Sequence, residues 1–465
     1  MPNLSKDAVD GLRAATRGQV FVPDDAGYHE ACTIWNAMID RRPAVIVRCA
    51  GVSDVRGAVN FARDRHLPLA IRGGGHNIAG TALCDDGLVI DLSAMKSARV
   101  DPFTRRAYVE PGCTLRDFDH EAQAFGLAVP LGINSTTGVA GLTLGGGFGW
   151  LSRRYGMTVD NLVSADIVTA DGELLHCSSD EHEELFWAIR GGGGNFGVVT
   201  MFEFELKPLG PQVYGGLVVL PLDQAKEALG RYRNAVDSMP DELTVWAVAR
   251  LAPPLPFLPA DVHGKPMLAF AICYTGPVEN GPQAVEAVRQ FGTAPYGEHL
   301  GPMPYTAWQQ AFDPLLAPGE RNYWKSHNLS ALQDGLIDAL LEAIGTLPSP
   351  QCEIFFGQVG GAMSRVAEDA TAYAARDTKY VMNVHGRWSD AADDARCIGW
   401  SRAFFENTKP FALGSVYVNF LTEEETDRVG AAYGPNYERL VAVKDRYDPH
   451  NLFSRNQNIK PSAAA

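Results

Sequence analysis

Leu-Ala-Ile-Arg-Gly-Gly-Gly-His-Asn at residues 69–77 joins a short apolar run to three consecutive glycines. A similar apolar run occupies residues 45–47, and between the two runs Ser53 is a good helix N-cap ahead of small apolar residues at helical spacing. The pattern predicts a β-α-β unit that ends directly on the glycines. Consecutive glycines let backbone N–H groups converge on a phosphate, because no Cβ obstructs the approach.

Two further glycine clusters follow, at residues 138–149 and 191–197. A Gly-x-Gly-x-x-Gly spacing begins at Gly192, but a dinucleotide fingerprint has to follow a strand and open a helix. Here the pattern predicts a helix before the cluster and a strand, residues 198–204, after it, so we reject a Rossmann site. One glycine cluster alone is most often a set of tight turns, whereas three in one half of the chain favour a cofactor site.

The chain changes character near residues 207–211, Lys-Pro-Leu-Gly-Pro. Before this segment, short apolar strands dominate. After it, amphipathic helices such as 222–235 and 332–347 alternate with strands such as 380–385, which predicts a second α+β domain with an antiparallel sheet.

Composition narrows the class of protein. The chain has 465 residues, 46% of them hydrophobic, and a formal net charge of −15. An acidic surface repels phosphate backbones, which argues against nucleic acid as a partner. The eight cysteines match neither a zinc pattern nor a disulfide framework, which predicts buried reduced thiols. No apolar leader or membrane-length run is present, so we expect a soluble cytoplasmic protein without a membrane partner.

Four segments resemble the berberine-bridge-enzyme group of FAD-linked oxidases, in the vanillyl-alcohol-oxidase superfamily. They are the Arg-Gly-Gly-Gly-His-Asn loop at 72–77, Gly-Gly-Gly-Phe-Gly-Trp-Leu-Ser-Arg-Arg-Tyr from 145 on, Leu-Phe-Trp-Ala-Ile-Arg-Gly-Gly-Gly-Gly-Asn-Phe-Gly at 185–197, and the C-terminal stretch 436–459. The resemblance covers nearly the whole chain and implies an α+β fold. Residues 1–208 would form a two-subdomain FAD-binding domain, residues 209–410 a substrate domain whose antiparallel sheet roofs the flavin, and residues 411–465 a segment that returns to the first domain.

The same resemblance implies FAD as the cofactor and His76 as its covalent attachment point, through the flavin 8α-methyl group. A lone histidine is usually structural, but within this motif it is similar to the family's flavin-linking residue. The loop 73–77 would hold the pyrophosphate, and no metal is implied. The other cofactor-binding residues implied by the resemblance are Arg72, Gly73, Gly74, Gly75, Asn77, Thr137, Gly138, Gly141, Gly145, Gly146, Val199, Asn456 and Asn458.

The sequence departs from the family pattern beside the flavin. Many members carry a second flavin bond from a cysteine, and Asn134 stands at that position in Gly-Ile-Asn-Ser-Thr-Thr-Gly, residues 132–138. We therefore expect a single covalent link. The residue that resembles the family's oxygen-gating position is Thr137, which is close to valine in size and so should not exclude oxygen.

A second departure concerns the catalytic base. Sugar- and alcohol-oxidising relatives end a Tyr-x-Asn-Tyr segment on a tyrosine that removes a proton, whereas this chain reads Tyr-Val-Asn-Phe and ends it on Phe420. Strand alternation would place Tyr417 and Asn419 on one face, where either can hydrogen-bond a substrate.

Other candidates come from the roof sheet and the flavin domain. Asn383 and His385 share one strand face, and His385 titrates near neutral pH; a structural role for it is an equal alternative. Lys325 can point at the flavin, although a lysine that snorkels to the surface is more usual. Tyr155 lies in a flavin-domain motif.

These features predict an FAD-dependent oxidase that takes a hydride from a C–N or C–O(H) carbon of a small organic substrate and passes electrons to oxygen, giving hydrogen peroxide. Two alternatives remain: a flavin dehydrogenase with another acceptor, and a flavin-loaded binding protein without turnover. The hydrolase motifs Gly-x-Ser-x-Gly and His-Glu-x-x-His are both absent.

Overall fold

A computed structural model describes residues 4–464. The strands are β1 Gln19–Phe21, β2 Val45–Arg48, β3 Leu69–Arg72, β4 Leu88–Asp91, β5 Ala98–Asp101, β6 Arg106–Val109, β7 Leu127–Ala128, β8 Leu162–Val168, β9 Leu174–Ser178, β10 Val198–Glu205, β11 Lys207–Pro208, β12 Gln212–Pro221, β13 Leu243–Leu251, β14 Pro266–Tyr274, β15 Gly297–Pro304, β16 Arg321–Leu329, β17 Glu353–Gln358 and β18 Tyr380–Trp388. The helices are α1 Lys6–Ala15, α2 Tyr28–Ala31, α3 Val52–Asp64, α4 Leu115–Gln123, α5 Val139–Leu144, α6 Ser152–Tyr155, α7 Glu183–Ile189, α8 Ala225–Ala235, α9 Gly281–Ala284, α10 Glu286–Arg289, α11 Tyr305–Gln309, α12 Asp334–Ile344, α13 Asp394–Thr408, α14 Val429–Tyr433 and α15 Tyr437–Tyr447.

The predicted β-α-β unit is β2, α3 and β3. Both strands run parallel to β4, which lies between them, and β1 adds an antiparallel edge. The predicted cap at Ser53 is wrong, because α3 begins at Val52 with Gly51 as its N-cap. Asp54 in the first turn instead accepts hydrogen bonds from the backbone N–H groups of Arg17 and Gly18, both at 2.9 Å, and so ties the N-terminal segment to this helix.

A second, antiparallel sheet lies next to this unit, with strand order β5-β6-β10-β8-β9. Helix α7 precedes the third glycine cluster and strand β10 follows it. This confirms the order that led us to reject a Rossmann site at Gly192.

The third sheet has seven antiparallel strands in the order β15-β12-β14-β13-β17-β18-β16. Helices α8, α12 and α13 cover one face and share an apolar core with alternate strand residues such as Met382 and Val384. The opposite face, with Trp246 and Val381, packs against Phe148 and other residues of the glycine-rich part. The sheet therefore forms a roof over the glycine clusters, as the predicted α+β class requires.

The C-terminal segment packs back onto the first half of the chain, because Leu440, Val443 and Ile459 share a core with residues of β8 and β10. The fully buried ammonium group of Lys444 fixes this arrangement. It donates to the Asn195 carbonyl at 2.8 Å, to the Asp448 carboxylate at 2.7 Å and to the Phe453 carbonyl at 3.0 Å. Burial lowers the pKa of Lys444, and Asp448 opposes that shift.

Replacing Asp448 by asparagine is expected to lower the free energy of unfolding by about 3–5 kcal/mol, because a buried ammonium group then loses its counter-charge. Urea denaturation followed by tryptophan fluorescence measures the change. The matched control is Asp445→Asn on the same helix, whose carboxylate caps Ser462 at the surface and should cost under about 1 kcal/mol. Equal losses in the two variants would contradict this role for the buried pair.

All eight cysteines are buried and unpaired, as the sequence predicts. Over residues 4–464, no helix combines the length and the apolar character needed to cross a membrane.

Candidate functional site

A cavity of about 300 Å³ lies between the glycine clusters and the roof sheet. The loop 73–77, the segment 137–142 and residues 193–199 form one wall. Trp324, Phe355 and His385 form the roof, and the C-terminal residues 453–457 reach the rim. All three glycine clusters therefore contribute to a single site.

Gly74 and Gly138 bring two of these loops into contact. A Cβ on Gly74 would lie 2.4 Å from the Gly138 nitrogen, and a Cβ on Gly138 would lie 2.5 Å from the Gly74 nitrogen. Only glycine at both positions allows the backbones to approach this closely.

Gly74→Ala is therefore expected to destabilise the protein by about 1–3 kcal/mol, as overpacking does, and to reduce the amount of FAD that co-purifies. Gly57→Ala is the control: a Cβ there meets nothing within 4 Å, and Gly57 lies inside α3, where alanine stabilises a helix by about 1 kcal/mol relative to glycine. Thermal unfolding and the ratio of flavin to protein absorbance test both. A Gly74→Ala variant with unchanged flavin content would contradict the close-approach argument.

The cavity fits a flavin dinucleotide in its chemistry. A Cβ on Gly141 or Gly194 would meet nothing within 4 Å, so both backbones border open space in the cavity. The buried Asn456 Oδ1 has no hydrogen-bond partner among the described residues. Among the described residues that line the cavity, the one carboxylate is that of Glu353 in the roof. Arg455 lies at the rim. The glycine wall thus offers donors and open space to a diphosphate without an opposing negative charge.

His76 lies in this wall with its ring stacked on Trp35, at 5.1 Å between ring centroids. Its Nε2 lies 2.9 Å from the Thr136 hydroxyl. Burial lowers the pKa of His76 to about 3, an effect that Thr136 only partly offsets, so the imidazole is neutral at physiological pH. A neutral imidazole keeps a lone pair on one ring nitrogen, as a nucleophile requires.

A row of side chains crosses the roof sheet in register. Arg250 of β13 pairs with Glu353 of β17, which pairs with His385 of β18, which pairs with Trp324 of β16. The Arg250 guanidinium donates to the Glu353 carboxylate at 2.6 Å, and the other Glu353 oxygen lies 3.6 Å from His385 Nδ1. Burial alone would raise the pKa of Glu353, but Arg250 and His385 outweigh it and hold that pKa at about 2.

The tautomer of His385 follows from its partners. Its Nε2 lies 3.0 Å from Asn322 Oδ1, and the same oxygen accepts from Arg387 Nη1 at 3.0 Å, while Asn322 Nδ2 donates to the Glu320 carbonyl. His385 must therefore donate through Nε2–H, which leaves Nδ1, on the Glu353 side of the ring, as the nitrogen that gains or loses a proton. Burial lowers the pKa of His385 below its ordinary value of 6.5, although Glu353 opposes the shift.

Tyr417, Asn419 and Phe420 also line the cavity. The prediction that strand alternation aligns the first two is wrong, because residues 418–420 form a 3₁₀ turn. The turn still brings them together: the Asn419 amide donates to the Tyr417 hydroxyl at 3.0 Å, and so does the Gly147 N–H at 3.2 Å. Burial raises the pKa of Tyr417 to about 12, so this hydroxyl is a hydrogen-bond donor and not a base at neutral pH.

Three predicted catalytic residues lie outside the cavity lining. Lys325 faces the opposite side of β16, where its ammonium group binds Glu424 at 2.8 Å and Glu425 at 3.2 Å; the alternation of β16 gives the cavity face to Trp324 instead. Tyr155 donates to the Pro208 carbonyl at 2.9 Å. Asn383 lies two residues from His385 on the same face of β18. Its amide is buried beside Phe355 of β17, outside the cavity lining.

Some of the predicted cofactor-binding residues line the cavity, and others lie outside its lining. Residues that line the cavity are Gly73, Gly74, Gly75, His76, Asn77, Thr137, Gly138, Gly141, Val199 and Asn456. Residues that lie outside the cavity lining are Arg72, Gly145, Gly146 and Asn458. Arg72 donates to the Ala31 carbonyl at 2.8 Å, and a Cβ on Gly145 would meet the Asn419 side chain.

Sequence reasoning missed Trp35, Glu353 and most of the aromatic lining. Glu353 gives a signal that was available, since it is a charged residue at the start of the otherwise apolar run Ile-Phe-Phe, residues 354–356. Trp35 gives no such sequence signal, because it lies outside every predicted helix and strand. In the described part of the chain, no cluster of three or more His, Cys, Asp or Glu side chains could hold a metal ion.

Comparison with protein families gives two matches. Residues 43–178 match an FAD binding domain, and residues 416–460 match a berberine and berberine-like domain. An FAD-linked oxidoreductase of Dictyostelium discoideum is 34% identical over 92% of this chain and 91% of its own length. The (R)-6-hydroxynicotine oxidase of Paenarthrobacter nicotinovorans is 29% identical over 96% of this chain and 98% of its own.

Solved structures share the fold. The 6-hydroxy-D-nicotine oxidase of Arthrobacter nicotinovorans superposes with a TM-score of 0.83 at 28% identity, covering 96% of this chain and 98% of that one. A berberine-bridge-enzyme-like protein of Arabidopsis thaliana superposes with a TM-score of 0.85 at 24% identity, covering 98% and 99%. These likenesses confirm the predicted fold class.

Proposed function

Since this chain belongs to the berberine-bridge-enzyme-like family of FAD-linked oxidoreductases, we propose that it is an oxidase with one covalently linked FAD that oxidises the C–N bond of a small arylalkyl amine. Dioxygen is the proposed electron acceptor. The observation that carries the proposal is a buried His385 in an aromatic cavity, where Phe420 stands at the position of the tyrosine base of alcohol-oxidising relatives.

The cofactor is assigned to the wall formed by the glycine clusters, with His76 as the attachment point. Bound there, FAD supplies the hydride acceptor and returns the electrons to dioxygen. The backbone of residues 73–77 and 138–141 would hold the diphosphate, and Asn456 would give its unpartnered oxygen to a donor of the cofactor.

An aromatic substrate suits the space left beneath the roof. Trp324 packs edge-on to His385 at 4.8 Å and to Phe420 at 5.4 Å between centroids, and Phe355 lies 6.3 Å from Phe420. Rings in this arrangement present both faces and edges to a flat apolar group. The name of the (R)-6-hydroxynicotine oxidase gives a hydroxylated nicotine, which is a small arylalkyl amine, as the substrate of that relative.

His385 is the proposed base that accepts the proton of the substrate ammonium group. Its Nδ1 accepts that proton, after which the imidazolium lies between the Asn322 oxygen and the Glu353 carboxylate, both of which stabilise the positive charge. The resulting neutral amine has the nitrogen lone pair that assists hydride loss from the adjacent carbon. Arg250 keeps Glu353 ionised for this task.

The proposal that dioxygen is the electron acceptor is supported by Thr137, the residue at the family's oxygen-gating position. Thr137 lines the cavity beside the flavin wall, and its side chain is close to valine in volume. A leucine or isoleucine at that position would fill more of the space next to the flavin ring.

A panel of primary, secondary and tertiary arylalkyl amines tests the proposal, with alcohols of the same carbon skeleton as matched controls. Anaerobic mixing should bleach the flavin with an amine and leave it oxidised with the corresponding alcohol. Under air, each turnover should release one hydrogen peroxide. Bleaching by alcohols alone would refute amine oxidation, and bleaching by an amine without peroxide formation under air would refute the oxidase assignment.

A further inference from the structure

Three side chains form a hydrogen-bonded chain at the cavity wall: Asn134 and His76, which line the cavity, and Thr136, which links them. The Thr136 hydroxyl lies 2.8 Å from Asn134 Oδ1 and 2.9 Å from His76 Nε2. Asn134 stands where many family members place a second flavin-linking cysteine, and it is buried, with 8% of its surface exposed. No step assigned so far uses Asn134 or Thr136.

The direction of each hydrogen bond in this chain is determined. Asn134 Oδ1 also accepts from the Thr136 backbone N–H at 3.1 Å, so this atom is the amide oxygen and can only accept. The Thr136 hydroxyl has one hydrogen, which it must give to Asn134. Its lone pair then faces His76, and His76 has to donate through Nε2–H.

His76 therefore carries its lone pair on Nδ1. Among the described residues this atom has no hydrogen-bond partner, while the ring itself borders the cavity. Trp35 holds the plane of the ring by stacking on it. The Leu316 carbonyl fixes the whole group, because it accepts from Trp35 Nε1 at 2.8 Å and from Asn134 Nδ2 at 3.5 Å.

We propose that Asn134 and Thr136 are positioning residues for flavin attachment: they select the Nε2–H tautomer of His76 and leave Nδ1 as the nucleophile. This inference rests on the proposed link at His76. It gives the residue that replaces the cysteine a role in forming the one remaining bond.

The attachment balances as an oxidation. A bond forms between Nδ1 and the carbon of the 8-methyl group of FAD, one hydrogen leaves that methyl group, and the Nε2 hydrogen leaves the imidazole. The two protons and two electrons reduce dioxygen to hydrogen peroxide, and the flavin ends oxidised. The low pKa of His76, set by burial, keeps the imidazole neutral before the bond forms.

The test measures covalent flavin incorporation in full-length protein made in a riboflavin-starved host and then supplied with FAD under air. Acid-precipitated flavin is followed over time. Thr136→Val should slow incorporation about tenfold, as loss of one hydrogen bond predicts, and Thr136→Ser should stay within about twofold of wild type. Asn134→Ala should be at least as slow, because the hydroxyl is then released to donate to Nε2, whereas Asn134→Asp keeps an acceptor and should retain most of the rate.

Thr143→Val is the control for removing a buried hydroxyl, since Thr143 donates to the Val139 carbonyl at 2.7 Å within α5, away from His76. A second readout is the linked nitrogen, identified by NMR of the isolated histidylflavin, which should be Nδ1 in wild type. Equal rates for wild type and Thr136→Val, or linkage through Nε2, would overturn the positioning role alone. Wild-type protein that releases all flavin on acid precipitation would overturn the link at His76 as well.

Discussion

Flavin reduction is expected to slow by about 10²- to 10⁴-fold at neutral pH in His385→Ala, because the variant lacks the group that accepts the ammonium proton. Stopped-flow absorbance under anaerobic conditions measures this rate. His385→Gln provides a second variant, since glutamine can still donate to Asn322 and fill the space but cannot act as a base. Both variants should show the same loss.

The pH dependence separates this role from a structural one. The deficit in His385→Ala should shrink as pH rises towards the pKa of the substrate amine, because the free amine needs no base. In wild type, burial lowers the pKa of His385 from its ordinary value, so the rate should fall at a lower pH than it would for an exposed histidine base. The sequence predicts titration of His385 near neutral pH, and burial in the structure moves the expected fall to lower pH.

His327→Ala is the matched control for loss of a buried histidine. His327 lies on the helix-covered face of the roof sheet and contacts the Phe405 carbonyl at 3.0 Å. Its removal should affect stability without changing the pH profile of flavin reduction. A His385→Ala variant whose rate is unaffected at every pH would show that the amine loses its proton to water and that His385 is structural.

His76→Ala is expected to lose all covalent flavin while it still binds some FAD through the glycine wall. Acid precipitation should leave the variant pellet colourless and the wild-type pellet yellow and fluorescent. His120→Ala on the exposed side of α4 is the control and should remain yellow. Yellow colour that persists in the His76→Ala pellet would place the link on another residue.

Much of the fold could be predicted because its local signals agree with its tertiary structure. Strand β3 ends where the predicted run meets the glycines, and β10, predicted at residues 198–204, extends one residue further. Each is a short apolar run bounded by glycine, proline or polar residues. The cap at Ser53 failed because α3 begins one residue before it, at Val52, with the extended backbone of Gly51 as the N-cap. The proposed division at residues 208/209 and 410/411 stays a prediction.

The glycine-rich wall of the cavity was also predictable, since the glycine clusters and His76 lie within continuous motifs. The roof was not, because its chemistry arises from register across four strands. Only the alignment of Arg250, Glu353 and His385 on β13, β17 and β18 reveals their shared charge network. Lys325 shows the same limit. Its neighbour on β16, Trp324, lines the cavity, whereas Lys325 itself lies on the opposite face and binds Glu424 and Glu425.

Peptide mapping by mass spectrometry tests the central claim, a single FAD bonded to His76, most directly. Trypsin cleaves after Arg72 and Lys96, so the account predicts one flavin mass on the peptide of residues 73–96, with fragment ions that place it on His76. The peptide of residues 117–153, which contains Asn134, should be unmodified. An unmodified 73–96 peptide, or a flavin on any other peptide, would contradict the account.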